Sequence, residues 1–245
     1  MQVLGWPDRH KAYLALRATL HALRDRLPLE EVAQLAAYVN RPDVLVLALP
    51  RGGVPIAYEV ACALNVPPDV FLVCKLGVPG YEELVMGAMA TGGVRVLNDH
   101  AMGVLRIPDY VIDAVAAWEQ QELARRERLY RGERPPPDVR GQTVILVDDG
   151  LATGATMHAA ITALRQQQPA RIVVAVPTAS PETCDQLRAE VDEVICAIMP
   201  DPFYAVGLWY EDFAQTTDEE VRDLLARSVS PGRTAHSVYA HGDST

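Results

Sequence analysis

The chain predicts an α/β fold: a mainly parallel twisted sheet flanked by helices, with a helical N-terminal extension and a small aromatic-rich segment near its end. Three observations predict it. Short apolar runs such as Val44–Leu49 and Val144–Val147 lack the polar alternation of a half-exposed sheet, so both faces of each strand are expected to be buried. Stretches of helical period separate these runs, the pattern of βαβ units. Two of the runs end in glycine-bearing turns that open into helices, which puts chemistry at strand carboxyl ends.

Taken in order, Arg9 to Leu27 carries Tyr13, Leu16, Leu20, Leu23 and Leu27 at helical spacing and ends at Pro28. Leu29 to Val39 reads as a second short helix, cut by Asn40 and Pro42. Residues 1–43 are therefore expected to form the extension and 44–227 the main domain. Val44–Leu49 is a strand, Pro50-Arg51-Gly52-Gly53 a turn, Val54–Leu64 a helix and Val70–Cys74 the next strand. Lys75 to Leu97 holds Gly77, Gly80, Gly87, Gly92 and Gly93 and reads as a long loop with a weak hairpin. Such a loop inside a compact domain is usually functional.

Pro108 suits the first turn of a helix reaching about Arg131, whose charges (Glu119, Glu122, Arg125, Arg126) mark a solvated outer face. Pro135-Pro136-Pro137 separates it from the strand Val144–Val147, and a helix follows over Met157–Gln167. Arg171–Val176 and Val194–Ile198 are further strands, with a helix from Ser180-Pro181 to Glu190 between them. Thr217 and Glu220 form a capping box for a last helix to Arg227. Residues 228–245, rich in Ser, Gly and His, read as a disordered tail.

A net charge of −10 argues against nonspecific nucleic-acid binding, which needs basic patches. The N-terminus shows no signal pattern and no apolar run reaches membrane-spanning length, so the cytoplasm is the expected location, with no membrane partner. Cys62, Cys74, Cys184 and Cys196 lack C-x-x-C spacing and read as reduced thiols, and the six histidines show no metal spacing. A homodimer is the assembly considered.

The chemistry concentrates in Val144 to Thr156. An apolar strand delivers Asp148 and Asp149 to its carboxyl end, and the small residues from Gly150 to Thr156 then turn into a helix. Backbone N–H groups in such a turn, aided by the helix dipole, bind an anion. Carboxylates would repel a phosphate but suit sugar hydroxyls or a divalent cation beside it. Together they ask for a ribose 5-phosphate. A Walker A loop is excluded because no lysine follows the glycine.

This stretch resembles the motif of the type I phosphoribosyltransferases that binds 5-phosphoribosyl 1-pyrophosphate (PRPP): apolar strand, two acidic residues, then Thr153-Gly154-Ala155-Thr156. The resemblance implies that Asp148 and Asp149 contact the ribose hydroxyls, directly or through Mg2+, and that Ala152, Thr153, Gly154, Ala155 and Thr156 wrap the 5-phosphate. It implies a pyrophosphate loop at Arg51 and Gly52, with a strained peptide expected between these two residues and Arg51 supplying charge. It implies a loop from Cys74 to Glu83 that closes over the site. There Lys75, at the strand end, would contact pyrophosphate, and Glu82 or Glu83 (Glu83 is the one put forward as catalytic) would accept a proton from the nucleophile.

Residues 199–213 crowd five aromatics into a stretch that resembles the base-stacking hood of hypoxanthine-guanine phosphoribosyltransferase, with Phe203, Val206 and Trp209 as candidate base contacts. A satellite core is the alternative reading of the same aromatics. One residue is inserted relative to that hood. Ala152 moreover stands where the 6-oxopurine enzymes carry an aspartate, and the adenine enzymes carry alanine there, so signature and hood point to different acceptors. As a whole, the chain is similar from Val44 to Arg227 to a bacterial group of predicted phosphoribosyltransferases. Its marks are Pro50-Arg51-Gly52-Gly53-Val54, Lys75-Leu-Gly77-Val-Pro79-Gly80 and Val206-Gly207 with Tyr210 and Asp212-Phe213. The resemblance implies Mg2+-dependent transfer of ribose 5-phosphate from PRPP to a small base or amine, releasing pyrophosphate. A PRPP- or nucleotide-sensing protein on the same fold is the alternative.

Overall fold

The structure, a computed structural model, describes residues 34–97 and 107–228, with residues 82–85 described by backbone alone. The helix expected over 9–27, most of the one expected over 29–39, and the tail lie outside the described residues. Strands β1 (Val44–Ala48), β2 (Pro68–Val70), β6 (Thr143–Val147), β7 (Arg171–Thr178) and β8 (Glu193–Ile198) form one sheet. Every pairing in it is parallel, in the order β2-β1-β6-β7-β8. The helices are α1 (Gly53–Leu64), α2 (Asp109–Arg131), α3 (Ala155–Gln166), α4 (Pro181–Arg188) and α5 (Asp218–Ser228).

The apolar runs become strands because each is covered twice. Alternate residues of β1 face opposite ways. Val44, Val46 and Ala48 join a core with Ala57, Val60 and Leu64 of α1 and with Val221 and Leu225 of α5. Leu47 joins a second core with Met157, Ile161 and Leu164 of α3 and with Leu187 of α4. Met157, Ile161 and Leu164 are fully buried, and each such side chain contributes about 1.5–3 kcal/mol relative to exposure. Leu35 and Tyr38 pack into the first of these cores, next to a short 3-10 turn over Ala36–Tyr38.

Two expectations change. The run Val70–Cys74 is two strands rather than one. After β2, the Phe71 N–H still donates to the Ala48 carbonyl (2.8 Å), but the Leu72 N–H is taken by the Thr91 hydroxyl (2.9 Å) and the chain leaves the parallel sheet. The stretch Lys75–Leu97, expected to be mostly loop, is a three-stranded antiparallel sheet of β3 (Val73–Val78), β4 (Tyr81–Ala90) and β5 (Val94–Leu97). Its glycines mark backbone geometry. A Cβ on Gly87 would overlap the Val96 carbonyl of the neighbouring strand, and the β3–β4 register slips on both sides of Gly77. Glycine inside a strand commonly signals such a close approach or a bulge.

Helix α2 covers one face of this small sheet, packing Ile112 and Ala116 on Leu76, Met86 and Met89. Its carboxyl end is fastened to β2 by Arg131, whose side chain is 2% exposed. The guanidinium donates to Asp69 Oδ1 at 2.8 Å and to the Val70 carbonyl, and it pairs with Glu127 at 3.4 Å. Ser180 caps α4 by accepting from the Thr183 N–H, and Thr217 and Glu220 exchange the two bonds of the capping box that starts α5. Among the described residues no helix is long and apolar enough to cross a membrane.

Removing one partner of a buried ion pair leaves the other charge uncompensated. Asp69→Ala is therefore expected to lower stability by about 3 kcal/mol in urea denaturation. A loss below about 1 kcal/mol, the usual worth of an exposed pair, would show that Arg131 does not depend on Asp69.

Candidate functional site

From β1 the chain crosses to β2 on one side, and later to β6 on the other, so the strand order reverses between β1 and β6. A crevice opens at such a point, outside the strand carboxyl ends. Both glycine turns meet there. The Leu49 N–H donates to the Val147 carbonyl at 2.8 Å, which carries the pairing of β1 with β6 into the turns. Gly52 lies so close to the acidic pair that a Cβ there would overlap Asp149 Oδ2. On Gly53 a Cβ would sit 2.6 Å from the Val147 carbonyl oxygen and 2.9 Å from Asp148 Cα. Only glycine leaves room for that contact. The special peptide of this turn joins Pro50 to Arg51 and is cis, one bond earlier than the Arg51-Gly52 peptide expected from the sequence.

Asp148 accepts the Asp149 N–H at 2.9 Å through Oδ1. Burial, and then the neighbouring Asp149 carboxylate, push its carboxyl well above the ordinary carboxylate range. Burial likewise raises Asp149, partly offset by hydrogen bonds with Asp148 and nearby backbone. The two carboxylates form an electrostatically strained pair that a cation or hydroxyl donors would relieve.

Beyond the pair, the turn is braced from behind. The Leu151 N–H donates to the Thr178 carbonyl (2.9 Å), and the Ala152 carbonyl accepts the Thr183 hydroxyl (2.6 Å). Gly154, at φ 66°, is the N-cap of α3, and no side chain caps that helix. Ala152, Thr153, Ala155 and Thr156 are exposed around it. The first-turn N–H groups have no intrahelical acceptor, so they face outward, where an anion would complete them.

Arg51 lines the cleft, 3.8 Å from Asp218 at the start of α5, and Asp218 also accepts the Tyr130 hydroxyl at 2.6 Å. Lys75 is placed differently from the expectation. It sits inside β3 opposite Ala88 rather than at the end of a core strand, and it is exposed. Cys74 and Leu76 on either side of it are buried, so strand alternation turns Lys75 away from their face. It does not line the cleft. The Glu83 backbone belongs to β4, and its side chain lies outside the described residues.

The hood also differs in its particulars. A 3-10 turn over Val206–Trp209 brings Val206 against Gly150, where a Cβ would come within 2.6 Å of Val206 Cγ1. Trp209 packs against the core of the parallel sheet, and its buried indole N–H has no partner among the described residues. Neither Trp209 nor Phe203 lines the cleft. Tyr210 and Phe213 do, with ring centroids 5.0 Å apart and planes at 47°. The Tyr210 hydroxyl donates to the Asp149 carbonyl at 2.5 Å, tying the hood to the acidic pair.

The cleft has a volume of about 770 Å3, within the usual range of ligand pockets. Its walls include Arg51, Gly52, Tyr58, Glu59, Asp149 and Asp212. Tyr58, Glu59, Tyr210, Asp212 and Phe213 were missed as site residues. The available signal was the helical spacing Gly52, Ile56, Glu59, which carries the face of the first turn along α1. Among the described residues no group of three or more His, Cys, Asp or Glu could hold a metal. The acidic pair nevertheless fits Mg2+, which is commonly held by one or two carboxylates, substrate phosphates and water.

A family model described as phosphoribosyl transferase domain matches residues 23–211. The chain belongs to this family. A Mycobacterium tuberculosis protein provisionally named a phosphoribosyl transferase is 40% identical over 213 residues, covering 87% of this chain and 48% of that protein. The chain thus spans about half the length of the curated relatives it matches. The crystal structure of a Thermus thermophilus protein, TT1426, is similar at 38% identity and a TM-score of 0.73, covering 91% of this chain and 98% of that one. The parallel sheet with flanking helices is therefore the fold of this phosphoribosyl transferase family, as the sequence predicted.

Holding both carboxyls above their ordinary range couples folding to pH. Between the ordinary carboxylate range and its raised folded value, Asp148 holds a proton that the unfolded chain has released, so stability falls as pH rises through that window. Above the window the ionised pair costs stability. In Mg2+-free buffer Asp148→Asn is expected to melt above the wild type near about pH 8, with the gap closing as pH falls to about 4. A gap independent of pH, or a lower melting temperature at the higher pH, would contradict this.

Proposed function

We propose that the chain transfers the ribose 5-phosphate of PRPP to a nitrogen of a small base or amine, releasing pyrophosphate in an Mg2+-dependent reaction. The observation that carries the reading is the contact of Gly52 and Gly53 with Asp148 and Asp149 at the strand-order reversal, beside an uncapped helix N-terminus. One turn supplies a phosphate cradle, the carboxylates suit ribose hydroxyls, and the Arg51 turn suits the pyrophosphate. PRPP carries all three groups.

The C1–oxygen bond of PRPP breaks with its electron pair going to pyrophosphate. The acceptor's nitrogen lone pair forms the new bond to C1, and the proton that nitrogen loses goes to the departing pyrophosphate. Asp148 and Asp149 hold the ribose while C1 gains positive charge, which their field favours. Mg2+, held by the same two carboxylates directly or through water, supplies charge neutralisation to the leaving group. The N–H groups of the Ala152–Thr156 turn fix the 5-phosphate, Arg51 offers a cation to the pyrophosphate, and positioning in the cleft supplies rate. Val206 supports this by holding the hood onto the signature turn. Trp209, packed on the core of the sheet, supports the hood, and neither it nor Phe203 lines the cleft.

One observation favours a second reading, a protein that binds PRPP or a nucleotide without turnover: Lys75, expected to neutralise pyrophosphate, is not in the cleft. The readings separate in one pair of measurements. A transferase releases pyrophosphate from PRPP and Mg2+ when given its acceptor from a panel of purines, pyrimidines and amines. A sensor binds PRPP calorimetrically and releases none with any of them. In both cases Asp148→Asn combined with Asp149→Asn is expected to weaken Mg2+-dependent PRPP binding by more than tenfold, about 1.4 kcal/mol. Unchanged affinity in the double variant would sink both readings.

A further inference from the structure

The lining of the cleft is unevenly charged. Arg51, Gly52 and Asp149 belong to the proposed PRPP machinery. The rest of the lining includes Tyr58 and Glu59 of α1 together with Tyr210, Asp212 and Phe213. The ionisable groups among these five are two phenols and two carboxylates. The cation among the cleft's lining residues, Arg51, lies 3.8 Å from Asp218.

Glu59 is the unusual member. Its side chain is half-buried on the cleft face of α1, and it makes no ion pair or hydrogen bond among the described residues. Burial pushes its carboxyl above the ordinary range. An ionisable group withdrawn from water without a partner is costly, and donors on a ligand remove that cost. In the same cleft, the tilted Tyr210–Phe213 pair presents aromatic surface against which a planar ring would pack. Asp212 is exposed at the same rim and would accept a further donor.

We infer that the acceptor is a planar nitrogen heterocycle bearing amino or amidine N–H donors, packed against Tyr210 and Phe213 with its donors on Glu59 and Asp212, and that bases bearing a carboxylate or an acidic imide are excluded. Glu59 is the specificity-determining residue. An anionic base would meet the carboxylates of Glu59, Asp212 and Asp149, whereas an amino group satisfies a Glu59 carboxylate that has no partner among the described residues. The inference rests on the reading that this cleft receives the acceptor of a PRPP-dependent transfer. It adds the chemistry by which that acceptor is chosen, which neither glycine turn determines.

The test is calorimetric titration of the full chain, with Mg2+ and pyrophosphate present, using adenine and 2,6-diaminopurine against orotate and xanthine. The amine-bearing pair is expected to bind at least about tenfold tighter, because sites built on hydrogen bonds discriminate strongly. Glu59→Gln should weaken 2,6-diaminopurine by about fivefold or more and narrow the gap to orotate, with PRPP affinity unchanged. Asp212→Asn, at an exposed position where the amide oxygen can still accept the Ala214 N–H, should narrow it in the same direction. Equal or tighter binding of orotate or xanthine, no binding by either class, or a Glu59→Gln variant that keeps full discrimination would overturn the inference. Failure of the transferase reading looks different: the amine-bearing bases bind with the expected preference, but no pyrophosphate is released from PRPP.

Discussion

Every functional feature of this protein depends on how closely the chain passes itself where β1 and β6 end. Gly52 and Gly53 sit against Asp148, Asp149 and the last carbonyl of β6 at a distance that no side chain would allow. The contact exists because β1 and β6 are hydrogen-bonded neighbours in register, so their following turns emerge side by side. One turn opens α1, the other opens α3, and the reversal of strand order leaves the space in front of them free. Two motifs nearly a hundred residues apart become one surface through a single strand pairing.

That surface conflicts with stability. Two carboxylates are held together and partly removed from water, and an uncapped helix begins beside them. Sites that break local rules in this way commonly trade stability for function. The surroundings compensate from behind rather than from the front. Thr178 and Thr183 satisfy the backbone of the turn, Val206 closes over Gly150, and Tyr210 holds the Asp149 carbonyl. The open side is left to a ligand.

The parts of this arrangement that were legible in the sequence are those set by short-range pattern. The apolar runs at Val44 and Val144, the capping box at Thr217 and Glu220, the Ser180 cap and the acidic-glycine turn depend on neighbours within a few residues, and each stands where it was expected. What was misread depends on tertiary context. Val70–Cys74 looks like one strand because nothing local shows that Thr91 will capture the Leu72 N–H. Gly77 and Gly87 suggest a loop, but they serve close strand approach, so the expected excursion is a sheet. Lys75 then falls in mid-strand instead of at a strand end, and its expected place in the site goes with it.

The aromatic hood was ambiguous for a related reason. Composition announces that residues 199–213 bury rings but does not say which ring faces the core and which faces the cleft. The 3-10 turn over Val206–Trp209 separates the two. Trp209 and Tyr210 both pack on the core of the parallel sheet, but Tyr210 also reaches the acidic pair and lines the cleft. The satellite-core reading thus holds for both rings, and only Tyr210 of the two is also placed where a ligand would meet it. Trp209 anchors the segment to the fold by packing on the core of the sheet, although its indole N–H has no partner among the described residues. Tyr210, with Phe213 beside it, carries that anchoring into the cleft. The same few residues that cover the sheet therefore also line the cleft, so a change in how the hood packs changes the cleft's wall.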